Sequence, residues 1–367
     1  MKQTDRVELE RRERSFLAPF AVFSSDATRE SGDLPDEHRL AFQIDRERVT
    51  HSSALRRLQD KRQVVPSGSG DHYTVRLTHT MEVSSIARSI ARRLMVNEDL
   101  CEAIAYSHDL GHTPFGHAGE EILNEKLMKC GLSFEHNEQS VRLARKMRLT
   151  DQVIDGLDKH KTVFDQAGKA GGQSHLEGQI VNAADEIAYT AHDARDGWRR
   201  GVLEIEKLKG LRLWQEAEKR VVDAGKMGKI QYIANVAKKM VGLLVDDFCA
   251  QTVKNINKNN IRTSDDIRGF GGPIGVFSDE MRGMLDEFRG YLMSDFYGSD
   301  EVIAANKYDK RLVSELFDYY MKNPDMLPSG FEPEDMSLKA KAAAIRDYIS
   351  GMTDEYCIIK HDDLSKM

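Results

Sequence analysis

Apolar residues in this chain recur at steps of three and four, and no stretch alternates as a half-buried strand does, so an all-α fold is expected. Val83, Ile86, Ala87, Ile90 and Leu94 mark a helix between Thr78 and Met95. Leu100 and Ile104 mark another over roughly 98–109, and Ile180, Ala184, Ile187, Ala188 and Ala191 a third between Gln179 and His192. Helices are also predicted over 118–127, 133–149, 151–164, 202–223, 230–253, 281–297, 301–321 and 336–356. Residues 1–24 read as a charged helix followed by an arm that docks elsewhere. Pro66-Ser67-Gly68-Ser69-Gly70 forces a turn, Gly168 to Gly178 forms a glycine-rich loop, and Pro324, Pro328 and Pro333 mark a linker.

A chain of 367 residues that is 40% hydrophobic and 31% charged can bury a sizeable core, and no run approaches the ~18 apolar residues that a membrane span needs. The first residues contain no apolar stretch of the secretory kind, so a cytoplasmic location is expected. Cys101, Cys130, Cys249 and Cys357 lack CxxC spacing and read as reduced, structural thiols. A net charge of −7 argues against a chain that binds nucleic acid by its overall field. The basic clusters Arg11-Arg12-Arg14, Arg56-Arg57 with Lys61-Arg62, and Arg199-Arg200 read first as solvated helix faces.

The chemistry concentrates between His108 and Glu120. Three histidines and two carboxylates fall there, and Gly111, Pro114 and Gly116 break any single helix, so the segment is a polar bend between two helices. His-Asp also occurs at 192–193 and 361–362, so the dipeptide alone decides nothing. His79 lies on the buried stripe of its helix and His108 is in register with Leu100 and Ile104, which points two imidazoles inward from adjacent helices. With Asp109 and Asp185 they offer one divalent metal two imidazoles and two carboxylates; Mn, Mg, Fe or Zn would suit, with Mn or Mg favoured. His117 and Glu120, three apart, share a helix face where they can pair. Asp185, Tyr189 and Asp193 follow one another at steps of four on an otherwise alanine-rich surface.

His79, His108-Asp109 and Asp185 in this order resemble the signature of the HD-domain phosphohydrolases. Arg57 to Val64, Arg76 to Val83, His108 to Glu120, Ala184 to Tyr189 and Tyr348 to Asp354 are similar to the deoxyguanosine triphosphate triphosphohydrolase branch. The resemblance covers most of the chain. It implies an HD-domain helical fold with additional C-terminal helices, divided into an N-terminal helix and arm (1–40), a metal-binding core (41–200) and a C-terminal helical region (201–367) that contributes to the substrate site and to oligomer contacts. It also implies hydrolysis of dGTP and other dNTPs to deoxynucleoside and tripolyphosphate by attack at the α-phosphorus. By family position His117 and Glu120 are the catalytic pair, and His112 joins them, lining the phosphate path with His136. Arg76 and Lys159 offset phosphate charge, while Gln63, Tyr189 and Asp193 hold the deoxyribose and Val64 packs where a 2′-hydroxyl would sit. The family further implies a homo-oligomer, tetramer or hexamer, activated by dNTP at a second site; single-stranded DNA is a further candidate partner, and the lack of a long apolar run argues against a membrane. One departure is Thr74-Val75 before Arg76, where the family often has Arg-Thr. The rival reading is a non-catalytic dNTP sensor that regulates a nuclease or nucleic-acid partner.

Overall fold

The computed structural model describes residues 4–30, 33, 35–64, 72–160 and 172–364. Over these residues it shows 17 α-helices and no strand, with one isolated β-bridge joining Arg62 to Val75. No helix among them is long and apolar enough to cross a membrane. The turn expected at Pro66 to Gly70, the end of the helix expected over 151–164 and the first part of the glycine-rich loop, 168–171, lie outside the described residues.

The helix Leu176–Arg199 is the spine of the molecule. It is buried along most of its length and packs against the helices Arg76–Leu94, Glu98–Ser107 and Lys229–Lys258. Ile180, Val181, Ala184, Ile187 and Ala188 give it an apolar side, and each large aliphatic group buried there contributes roughly 1.5–3 kcal/mol. The same helix also buries Asp185, His192, Asp193 and Asp196, and polar groups placed so deep need partners. Its central position therefore brings charge as well as apolar surface into the interior.

Two apolar clusters organise the packing. One runs from Ala21 to Phe296; the other joins Phe115, Leu123, Leu127 and Phe134 to Leu312, Phe317, Ile345 and Cys357. Residues flanking the polar bend thus share a core with the C-terminal helices. The N-terminal arm folds back on its own chain: Glu177, fully buried, accepts from the backbone N–H of Val22 at 2.9 Å and of Asn97 at 3.2 Å. All four cysteines are free and buried.

Three predicted helices divide differently. The segment 202–223 is two short helices, Ile205–Gly210 and Arg212–Glu218, because Leu211 between them is extended. The segment 281–297 is an α-helix, Asp279–Tyr291, continued by a π-helical turn, Leu292–Tyr297. The segment 336–356 ends at Ser350 and restarts at Asp354, where the Thr353 hydroxyl accepts from the N–H of Tyr356 at 3.2 Å and begins a new helix.

Gly111 sets how closely the polar bend approaches the helix His136–Lys146. A Cβ there would lie 2.2 Å from the carbonyl oxygen of His136 and 2.4 Å from the nitrogen of Ser140, both rigid backbone atoms. Gly111→Ala is expected to lower stability by roughly 1–3 kcal/mol, read as an earlier urea midpoint. An unchanged midpoint would mean that the bend can stand away from that helix.

Candidate active site

His108 caps the end of the helix Glu98–Ser107, and its Nδ1 lies 2.6 Å from the carbonyl oxygen of Ala105. A carbonyl only accepts, so the proton sits on Nδ1 and Nε2 keeps its lone pair. That Nε2 is buried, has no hydrogen-bond partner among the described residues, and faces Asp109 Oδ1 at 3.4 Å. An imidazole lone pair and a carboxylate oxygen facing each other in a buried space suit a cation between them. His79 joins from the helix Arg76–Leu94, with Nε2 2.9 Å from Asp185 Oδ1 and 3.9 Å from Asp109 Oδ2. Donors about 3–4 Å apart are what an ion with bonds of ~2.0–2.2 Å requires. His79, His108 and Asp109 form one group with the spacing of metal ligands, and Asp185 adjoins it through His79.

The surroundings keep both carboxylates ionised. Burial pushes Asp109 up, but His108, the Arg76 guanidinium at 3.0 Å and His112 outweigh it and hold it well below the usual carboxylate range. Asp185 is likewise raised by burial and lowered further by His160 and His79.

A second group stands beside the first. Gly116, with φ +59°, starts the helix His117–Met128, and a Cβ there would come within 2.8 Å of the Arg76 guanidinium. The first turn of that helix brings His117 Nδ1 to 3.2 Å from Glu120 Oε2. Glu120 Oε1 also accepts from the backbone N–H of His136 at 2.7 Å and lies 3.0 Å from its Nδ1. His136 stacks on His112 with ring centroids 3.8 Å apart, and His112 Nε2 reaches back to Asp109 Oδ1 at 3.3 Å. His112 therefore links the two groups. Burial first, then Arg76 and His136, holds it well below the usual histidine range, so it is neutral near pH 7. Burial raises Glu120, but the charge of His136 and the hydrogen bond from His117 hold it well below the usual range.

One cavity is lined by Gln63, Val64, Arg76, His79, Asp109, His112, His117, His136, Asp185 and Tyr189, all expected from sequence, together with His160 and Tyr297. Two expected substrate contacts stand off its wall. Lys159 Nζ is bound to Asp155 at 2.6 Å and to the carbonyl of Gln173 at 3.2 Å. Asp193 is buried behind the wall, where Tyr297 donates to Oδ2 and His192 Nδ1 lies 2.9 Å from Oδ1. Sequence reasoning passes over His160, which comes within 3.5 Å of Asp185 Oδ2. Its only signal is a position next to Lys159 at a helix end. Tyr297 gives no signal, because nothing in a helical period marks a π turn.

A clamp made by Lys61 together with the C-terminal helices holds the bend. Lys61, fully buried, donates to the carbonyls of His112 and Ser350, and burial draws its pKa down to about 7. Asp354 accepts from the N–H of Phe115 at 2.8 Å and of Arg62 at 3.1 Å. Phe115 sits at φ +64°, a conformation that a side chain adopts only when its surroundings impose it. Thr74 is buried, its N–H bound to Asp196 at 2.8 Å, and its hydroxyl accepts from Arg195 at 3.2 Å, so a different arginine stands close to the position of the departure.

Residues 76–190 match the HD domain family, and residues 275–363 match the phosphohydrolase-associated domain. A deoxyguanosinetriphosphate triphosphohydrolase-like protein of Geobacter metallireducens is 36% identical over 377 residues, spanning 97% of this chain and 96% of its own. A protein of that description in Leptospira interrogans is 36% identical, with 96% and 97% covered. Deoxyguanosinetriphosphate triphosphohydrolase-like protein 1 of Deinococcus radiodurans is 35% identical, with 97% and 98% covered. The HD match spans the helices that carry His79, His108-Asp109 and Asp185, and the likeness extends over nearly the whole length of the relatives, so the chain belongs to the HD-domain family of deoxyguanosinetriphosphate triphosphohydrolase-like proteins.

Proposed function

We propose that the chain is a metal-dependent triphosphohydrolase that cleaves deoxynucleoside triphosphates, dGTP among them, to the deoxynucleoside and tripolyphosphate. The observation that carries this reading is one cavity in which a histidine and carboxylate group fit for a divalent cation adjoins a histidine and glutamate group fit for moving a proton. A cation held by His79, His108, Asp109 and Asp185 would neutralise phosphate charge and supply Lewis acidity at the α-phosphate.

In the reaction the oxygen of water bonds to the α-phosphorus and the bond from phosphorus to the 5′-oxygen of the tripolyphosphate's leaving partner, the deoxynucleoside, breaks. The electron pair leaves on that oxygen, which takes up one proton while the attacking water gives one up, so that deoxynucleoside and tripolyphosphate are the products. His117 is the lining histidine that solvent reaches among the described residues, and Glu120 orients it, which suits it to exchange that proton. Arg76 faces the triphosphate as a fixed positive charge, and neutral His112 offers a hydrogen bond at a phosphate oxygen. Gln63 has a buried Oε1 without a hydrogen-bond partner among the described residues, and it is the acceptor we assign to the 3′-hydroxyl. Val64 and Tyr189 close against the 2′-carbon.

The test is to incubate the protein with each dNTP, and with GTP, in Mn²⁺ or Mg²⁺ and to separate the products by anion exchange. Deoxynucleoside and tripolyphosphate are expected, with dGTP preferred over GTP by about 10²-fold, the discrimination that an apolar wall gives against an added hydroxyl. Release of orthophosphate or diphosphate, or equal use of GTP, defeats the reading. Binding of dNTP without turnover in either metal identifies a sensor instead.

A further inference from the structure

His192 and Asp193 repeat the His-Asp dipeptide one layer behind the cavity, and they reach the cation site through His79. His79 turns Nε2 toward Asp185 and Asp109, while its other nitrogen, Nδ1, lies 3.0 Å from His192 Nε2. Two imidazole nitrogens in such contact need one donor and one acceptor. If His79 Nε2 is to offer a lone pair to a cation, the His79 proton must sit on Nδ1 and point at His192. His192 Nε2 must then be bare and its own proton must sit on Nδ1. That nitrogen lies 2.9 Å from Asp193 Oδ1; the approach is too oblique for a well-formed hydrogen bond, but the carboxylate charge favours the proton there. The Tyr297 hydroxyl donates to the other oxygen, Asp193 Oδ2. Every proton along the chain is thereby oriented toward Asp193. His79, His192 and Asp193 are all buried, so water does not compete for these contacts.

We propose that His192 and Asp193 are positioning residues for the cation site: they hold the His79 proton on Nδ1 and so leave Nε2 open to a divalent cation, with Tyr297 steadying the carboxylate. The proposal rests on the reading of His79 as a cation ligand. It gives Asp193 a task beyond the sugar contact expected from the sequence, and it accounts for a buried carboxylate whose two oxygens face Tyr297 and His192.

The experiment titrates the full chain, stripped with EDTA, with Mn²⁺ alone and no nucleotide, by calorimetry, beside the melting temperature of each metal-free variant. Loss of the hydrogen-bond partner behind a ligating histidine typically costs 10–100-fold in metal affinity. His192→Ala should weaken Mn²⁺ binding by about that factor, whereas His192→Gln, whose amide oxygen can accept from His79 Nδ1, should recover most of it. Asp193→Asn should also weaken binding. If His192→Ala fails to fold, His192→Phe fills the space without an acceptor and takes its place. Wild-type affinity in His192→Ala or His192→Phe overturns the relay, as does an equal loss in His192→Gln with its metal-free melting temperature intact. Wild-type Mn²⁺ affinity in Asp193→Asn with a raised KM for dGTP would return Asp193 to the sugar. A wild-type protein that bound no Mn²⁺ would remove the cation site itself, a failure distinct from that of the relay.

Discussion

His108→Ala is expected to release the divalent cation and to lower turnover of dGTP on the order of 10³-fold. The size follows from the several kcal/mol that a cation contributes to stabilising charge in a phosphoryl transition state, at about 1.36 kcal/mol for each factor of ten. His108 is the sharpest place to test this because its protonation is fixed by Ala105, which leaves the Nε2 lone pair buried and without a hydrogen-bond partner among the described residues. Treatment of the wild type with EDTA should reproduce the loss, and added Mn²⁺ should restore the wild type but not the variant. Removing a buried ring also leaves a cavity, so metal content after dialysis is read beside the urea midpoint. A variant with full metal content and full activity would dismiss His108 as a ligand.

His117→Ala should behave in the opposite way: cation binding is retained and kcat falls by ~10²–10⁴-fold, the usual contribution of a positioned acid or base. The imidazole bears on Glu120 and lies outside the group formed by His79, His108 and Asp109, so its loss opens no coordination position there. Glu120→Gln should be comparably slow, because Glu120 orients His117 and also holds His136 through its backbone and ring. The double variant should be little worse than either single one, as expected of groups that act as a unit. The four groups His112, His117, Glu120 and His136 also have the mutual spacing of metal ligands. Loss of metal in His117→Ala would therefore mark this second group as a cation site and remove it from proton transfer.

The helices are legible wherever one apolar stripe repeats without interruption, as in Arg76–Leu94 and Leu176–Arg199. They are misjudged where a local backbone event outweighs the stripe: an extended Leu211, a π turn after Tyr291, and a new N-cap at Thr353. Residues set by helical register, such as His79, Asp185 and Tyr189, can be brought to one place by counting turns, and they line one cavity. Counting turns does not by itself say whether Lys159 and Asp193 face the cavity. Their partners, Asp155 beneath the lysine and Tyr297 beside the aspartate, decide which way each side chain turns. Asp155 is a helical neighbour four residues away, but Tyr297 lies 104 residues along the chain. The dipeptide at 192–193 is visible in the sequence but carries no weight there, because its meaning depends on the second nitrogen of His79, and spacing alone does not show which way a ring points. The dipeptide at 361–362 looks identical, yet its His361 pairs with Glu315 on another helix, away from the cavity.

Lys61 and Asp354 give the two family segments a common fate. Every candidate cation ligand falls within residues 76–190, yet the bend that carries three of the lining residues is fastened by a lysine that precedes that span and by a carboxylate far beyond it. The HD segment is therefore not a portable cassette. Excised, it would keep its ligands and lose the groups that hold Phe115 at positive φ and satisfy the carbonyl of His112. Changes at Asp354, 239 residues along the chain from Phe115, bear directly on the shape of the polar bend, so the site can be tuned from the C-terminal helices without touching a ligand.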